Sequence, residues 1–193
     1  MLQFRFHGRG GQGTVVATIL LAKAFFKAGY YVQSFPLFGV ERRGAPVEAY
    51  LRIDREKIWI RTNLYNPDHV VVLDKTLFFS TDVTRGLKKG GWILLNSDSF
   101  PVATNALSGY NLAIVDATRI ALKHGLGTRT HPIVNTAMLG AFSKVHGVPP
   151  MDAIVGAIYE EVALRPEANM QAAREAYESV RLFDEPAGAK EVG

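Results

Sequence analysis

Three stretches of the 193-residue chain carry residues whose types and spacing could do chemistry. In the first, HGRGGQGT, Gly8, Gly10 and Gly13 stand at the spacing G-x-G-x-x-G, with Gly11 as an extra glycine inside it. Glycines let the backbone turn sharply and approach an anion closely. Free N–H groups and the positive end of a following helix then hold a phosphate. Arg9 adds a charge and Thr14 a hydroxyl at the same point, and Gln12 completes the loop. A plain structural turn meets the same spacing. In the second stretch, FPLFGVERRGAPVEAYLRI, Arg42 and Arg43 lie between Gly39 and Gly44 in a segment too broken by Gly and Pro to be helix. Guanidinium groups on such a loop suit phosphate or carboxylate, and a solvated charged loop reads the same way. The third, NTAMLGAF, opens on Asn135 and Thr136. They suit a helix cap.

Other chemistries are excluded by what is missing. The chain has no cysteine, so it can form no disulfide, thiolate nucleophile, Cys-ligated zinc site or iron–sulfur cluster of its own. Its five histidines, His7, His69, His124, His131 and His146, lack metal-like i, i+4 pairing and read as ordinary surface or core residues.

The glycine loop has the setting it needs. LQFRF at 2–6 alternates as a strand, and Val15 to Phe26 is apolar, Ala-rich and free of Pro and Gly, which predicts a helix stopped by Gly29. YYVQSF follows as a second strand, giving the length of a βαβ unit. EAYLRI and KIWI are expected to pair antiparallel across Asp54–Glu56, because the connection is so short. HVVVLD is a buried strand ending in Asp74, LFFSTDVTRGL is expected to be helical, and WILLN and LAIVDA are strands, the latter expected to be the last of the sheet. A helix is expected from Thr118 to His124. Residues 134–147, 150–163 and 167–181 then have helical periodicity, with Pro150 and Pro166 as first-turn prolines. The fold expected is α/β: a three-layer α/β/α domain with a mostly parallel, mixed sheet and a helical C-terminal part over residues 1–185, then a polar tail at 186–193.

Composition agrees with one globular domain, at 48% hydrophobic and 21% charged residues. No apolar run reaches the roughly 18 residues that span a bilayer, and the N-terminus lacks a signal-peptide layout, so a cytoplasmic protein is expected. Residues 1–65 hold ten Lys/Arg against four Asp/Glu, and residues 150–193 hold four against nine. A basic half with a glycine loop suits a small anionic ligand better than nucleic acid, since aromatic–basic interleaving is absent. Nicotinamide dinucleotides fit less well. They call for an acid at the end of the second strand, and VQSFPLFG supplies none before Glu41.

Together, GRGGQG at 8–13, FGVERRGAPV at 38–47 and NTAMLGAF at 135–142 resemble the gamma subunit of 2-oxoacid:ferredoxin oxidoreductases of the pyruvate synthase kind, over roughly residues 1–180. The resemblance implies an α/β/α domain that helps bind coenzyme A (CoA) as a substrate. It implies alpha, beta and delta-type partner subunits that carry thiamine diphosphate, Mg and 4Fe-4S clusters, with ferredoxin reached through the complex. Gly8 to Thr14 becomes the phosphate-facing segment, and Arg42 and Arg43 match the family's arginine motif. Asn135 and Thr136 fall in the third motif, where they either face a ligand or another subunit or cap the helix, the cap being the preferred reading. The ERRGAP form favours a pyruvate or branched-chain member over an indolepyruvate one. Phe35, Leu37 and Phe38, the apolar cluster beside the arginine loop, are expected at or near a subunit interface, with a buried loop as the alternative. The rival readings are a stand-alone Rossmann-like NAD(P) dehydrogenase and a CoA- or nucleotide-binding module without an enzyme partner.

Overall fold

The computed structural model describes residues 1–37, 44–99 and 107–183. Strand β1 (Leu2–Arg9) leads into α1 (Thr14–Lys27), which ends at Gly29. There the Tyr30 N–H reaches the Phe25 carbonyl and the Gly29 N–H reaches the Phe26 carbonyl, with Gly29 at φ 81°. Only a residue without Cβ takes that left-handed conformation without strain. Strand β2 (Tyr31–Leu37) returns parallel to β1 but not beside it. Strand β3 (Pro46–Asp54) is inserted between them, antiparallel to both, with Phe6 opposite Ala49 and Phe35 opposite Tyr50.

On the other side of β1 run β4 (His69–Val72), β5 (Trp92–Asn96) and β6 (Asn111–Val115), each parallel to the one before. A 3₁₀ turn (Lys75–Phe79) follows β4. Helix α2 (Ala117–Lys123) follows β6, and a small hairpin pairs β7 (Gly127–Thr128) with β8 (His131–Pro132). Helices α3 (Asn135–His146), α4 (Met151–Glu161) and α5 (Pro166–Ser179) come next, then β9 (Arg181–Phe183), antiparallel to β6. The seven-stranded sheet has the order β2-β3-β1-β4-β5-β6-β9. It is mixed: parallel through its centre, antiparallel towards both edges.

Strand alternation sorts the core. Phe4 and Phe6 of β1, Leu51 and Ile53 of β3, and Val71, Leu94, Ala113 and Val115 join the buried residues of all five helices in one apolar cluster. The opposite side chains, Val70, Val72, Ile93, Leu95, Leu112 and Ile114, pack on Leu77, Val83, Leu87 and Leu107. Among the described residues, the second outer layer is therefore a 3₁₀ turn and connecting segments in place of α-helices.

Four local expectations change. KIWI forms no strand, because both edges of β3 are already taken by β1 and β2. The segment 77–87 forms no α-helix, and only 77–79 belong to the 3₁₀ turn. The Asp74 and Asp82 side chains capture the N–H and hydroxyl of Thr76 and Thr84 in local turns, which compete with helical hydrogen bonds. LAIVDA is not the last strand of the sheet, since β9 adds beyond it. Helix α5 stops at Ser179, where Val180 turns extended and leads into that strand.

Candidate functional site

The sheet winds in two directions from its middle. From β1 the chain crosses through α1 to β2 on one side, and β4, β5 and β6 proceed on the other. Outside the carboxyl ends of β1 and β4 such a reversal opens a crevice, the usual ligand site of open α/β sheets. The glycine loop follows β1 into it and Asp74 follows β4.

The loop is wired to Asp74. Oδ1 of Asp74 accepts from the Thr76 N–H (2.9 Å) and hydroxyl (2.6 Å), and Oδ2 accepts from Gln12 Nε2 (3.0 Å). Arg9 Nε lies 3.2 Å from Oδ2, while Arg9 Nη2 donates to Thr76 Oγ1 (2.8 Å) and Nη1 to the Gly44 carbonyl (3.1 Å). Burial raises the Asp74 pKa, but hydrogen bonds from Thr76 and Gln12 and the Arg9 charge outweigh it and hold the carboxyl below its ordinary value. The Gln12 side chain also accepts from the Arg9 N–H (2.8 Å), closing the loop on itself. Arg9 is thus a tether of the loop, not a free cation in the crevice. A single Asp at the end of HVVVLD was the only sequence signal for this partner.

The glycines divide by role. A Cβ on Gly8 would stand 2.0 Å from Thr14 Oγ1, and one on Gly13 would stand 2.5 Å from Asn135 Nδ2. These two are required by packing. Gly10 is engaged through its backbone, its N–H on the Ala45 carbonyl (2.9 Å) and its carbonyl on the Gly44 N–H (3.1 Å). Gly11, at φ 99°, faces open space, with no atom within 4 Å of where a Cβ would be. Helix α1 begins at Gly13 without a side-chain cap, and its first helical bond runs from the Ala17 N–H to the Gly13 carbonyl. The N–H groups of Thr14, Val15 and Val16 are the donors that any helix start leaves over. The Thr14 hydroxyl is buried with no hydrogen-bond partner among the described residues. The donors that the fold leaves unspent here therefore lie at the first turn of α1, beside the open backbone of Gly11.

The third motif reaches the same place. Asn135 is buried against Gly13, which joins α3 to the glycine loop. Neither Asn135 nor Thr136 is the cap residue: that position is Val134, without a side-chain bond. Asn135 Oδ1 still accepts the Thr136 N–H (2.8 Å), and the Thr136 hydroxyl donates to Asn169 Oδ1 (2.9 Å) on α5. Arg42, Arg43 and Phe38 lie outside the described residues. Phe35 is half-buried on β2, and Leu37 is exposed at its end.

Beyond the loop the crevice widens into a cleft of about 560 Å³, with Gln12, Asp74, Lys75, Asn96, Thr118 and Arg119 among its walls. Its charges are matched in pairs, Lys75 with Asp98 at 2.7 Å and Arg119 with Asp116 at 3.7 Å. Lys75 holds the Asp98 carboxyl down to about 2. Asn96 is fully bonded, to the Leu73 carbonyl and to Thr118. Such a cleft suits a neutral polar group better than a charged one. No group of three or more His, Asp or Glu side chains placed to hold a metal occurs among the described residues. No helix among them is long and apolar enough to cross a membrane.

Residues 3–179 match the family model described as pyruvate ferredoxin/flavodoxin oxidoreductase. The chain is 48% identical over 188 residues to the "Pyruvate/ketoisovalerate oxidoreductases common subunit gamma" of Pyrococcus furiosus, covering 95% of this chain and 100% of that one. It is 49% identical to the "Pyruvate synthase subunit PorC" of Methanothermobacter marburgensis, covering 94% and 98%. Among solved structures it resembles pyruvate oxidoreductase subunit PORC of Thermotoga maritima, with a TM-score of 0.78, 36% identity and coverage of 94% and 97%.

Proposed function

Since the chain belongs to the pyruvate ferredoxin/flavodoxin oxidoreductase family, we propose that it is the gamma subunit of a multi-subunit 2-oxoacid:ferredoxin oxidoreductase that uses pyruvate or a branched-chain 2-oxoacid. The complex converts the 2-oxoacid, CoA and oxidised ferredoxin into acyl-CoA, CO2 and reduced ferredoxin. The observation that carries this reading is the length of the match: the family pattern runs through nearly the whole chain, and the relatives are covered end to end.

Decarboxylation and electron transfer need a thiamine cofactor and iron–sulfur clusters. A chain without cysteine does not fit as the holder of a cluster. Alpha, beta and delta-type subunits hold these groups and Mg, and reduce ferredoxin, while this chain contributes CoA binding and assembly. The phosphates of CoA meet the N–H donors at Gly11 and the start of α1, with the unpartnered Thr14 hydroxyl beside them. Arg9, Gln12 and Asp74 hold that loop in shape. The uncharged part of CoA extends into the charge-matched cleft. The working compartment of such a complex is the cytoplasm.

A stand-alone NAD(P) dehydrogenase is disfavoured by topology. The strand beside β1 on that side is antiparallel β3, and β2, displaced to the edge, carries no Asp or Glu. The test is the Gly11→Val variant in the assembled complex. It should raise the KM for CoA about tenfold or more by obstructing close approach. CoA-independent decarboxylation of the 2-oxoacid should continue at its original rate. If the variant assembles and keeps its KM for CoA, the loop is a structural turn only.

A further inference from the structure

The sheet face that the helices leave open carries a buried arginine with no opposite charge in contact. Arg52 on β3 is 2% exposed. Its Nε donates to Gln3 Oε1 (3.1 Å), its Nη1 to Gln33 Oε1 (3.4 Å), and its Nη2 to the carbonyls of Thr62 (2.8 Å) and Asn63 (3.2 Å). All four acceptors are neutral. Burial draws its pKa below the ordinary value. A buried guanidinium without a counter-charge is costly to keep, and a carboxylate brought to it relieves that cost.

Space for such a group exists. A pocket of about 460 Å³ opens over Arg52, lined also by Ser34, Phe35, Arg61, Thr62 and Asn63. Phe35 lies under the Arg52 guanidinium, 5.2 Å from ring centroid to Cζ. Arg61 makes no ion pair among the described residues. The pocket thus presents two arginines and no acid.

The surroundings are those of a protein interface. Strand β2 is the outermost strand of the sheet, so its outer edge is unpaired among the described residues. Segment 55–66 crosses the face as an irregular strap with Trp59 76% and Tyr65 70% exposed. Trp, Tyr and Arg together at an unpaired sheet edge are the residue types that carry binding energy between proteins. A free small anion would fill the pocket and leave Trp59 bare. On the helices of a second copy, Glu160, Glu161 and Glu175 are already paired with Lys27, Lys23 and Lys123, so those acids are not free to enter the pocket.

We propose that the outer edge of β2, the Arg52–Arg61 pocket and the strap form the docking surface for another subunit of the complex, which inserts an Asp or Glu side chain between the two arginines and covers Trp59. The inference rests on the gamma-subunit reading. It extends the expectation for Phe35 and Leu37 to a specific surface and a specific chemistry.

The experiment uses the whole complex, purified through a tag on this chain. A photo-reactive phenylalanine at position 59 should cross-link to one other subunit, at a peptide that contains Asp or Glu. Arg61→Glu should lower the co-purified amount of that subunit about tenfold or more, whereas Arg174→Glu, on α5 at the opposite face, should leave it unchanged. The cross-link is read in an otherwise unaltered complex, so misfolding of the charge variant would not decide the outcome. Full co-purification with Arg61→Glu and no cross-link from position 59 would overturn the docking surface while leaving the complex itself established. A cross-link to a second copy of this chain would overturn the choice of occupant. If no other subunit accompanies the unmodified chain, the gamma-subunit reading itself fails.

Discussion

Acid should loosen this fold in part through one buried ring that can be replaced. His146, at the end of α3, packs against Phe142 (4.4 Å between ring centroids), His69 (4.5 Å) and Phe4 (5.3 Å), and its Nε2 has no hydrogen-bond partner among the described residues. Burial, reinforced by neighbouring His69, lowers its pKa from 6.5 to about 3. The unfolded chain therefore binds the proton more readily than the folded one between those two values. The contribution to stability is whole above the unfolded pKa and is lost as the pH falls toward the folded one. Between pH 7 and pH 5 the loss from this one group is about 2 kcal/mol. His7, lowered to about 4 by burial against the opposing pull of Glu48, adds a loss of similar sign. A His146→Phe variant removes the His146 contribution, since His7 and His69 remain in both proteins. Urea unfolding at pH 7 and pH 5, followed by circular dichroism with m-values compared, should show a fall in stability about 2 kcal/mol smaller in the variant. Equal falls in the two proteins would mean that His146 is protonated at no cost in the folded state, and the account of a dry, unpartnered imidazole would be wrong.

Asp74→Ala should release both Arg9 and Gln12, so CoA affinity in the assembled enzyme should fall by about tenfold, although Asp74 itself repels phosphate. An unchanged or lower KM for CoA would contradict the tether. Gly140→Ala would set a Cβ 1.8 Å from the Ala173 carbonyl oxygen, forcing α3 and α5 apart. A loss of about 3 kcal/mol is expected by thermal or urea unfolding, at the upper end for overpacking. Gly156→Ala, with nothing within 4 Å, should leave stability unchanged or slightly raised, and comparing the two variants separates packing from helix propensity.

The parts of the fold that were legible in the sequence are those set by near neighbours. The glycine loop, α1 with its Gly29 stop, and the three C-terminal helices each follow from spacing within one element. Insertion of β3 between β1 and β2 is a long-range choice among edges, and it left KIWI without a partner. The alternation of LQFRF correctly sends Phe4 and Phe6 to one face. It suggests solvent for Arg5 on the other, yet Arg5 is buried with its Nη2 on the carbonyls of Val83 and Arg85. Nothing local announces acceptors 78 and 80 residues away. At the site, the glycines were visible and their division of labour was not, because it depends on Thr14 and Asn135 standing where a Cβ would be.

The unequal covering of the two sheet faces bears on how the molecule breathes. One face is sealed by five helices sharing a single apolar cluster, so its amides should exchange with solvent only through global unfolding. The other is closed by Leu77, Val83, Leu87 and Leu107 on short segments, a smaller unit that can open while the sheet stays intact. Lys75 and Thr76 begin one of those segments and also form a wall of the cleft. The wall can therefore yield to admit a long, jointed molecule without disturbing the helix-covered core, and hydrogen exchange at 75–88 should be faster than at α1 or α3.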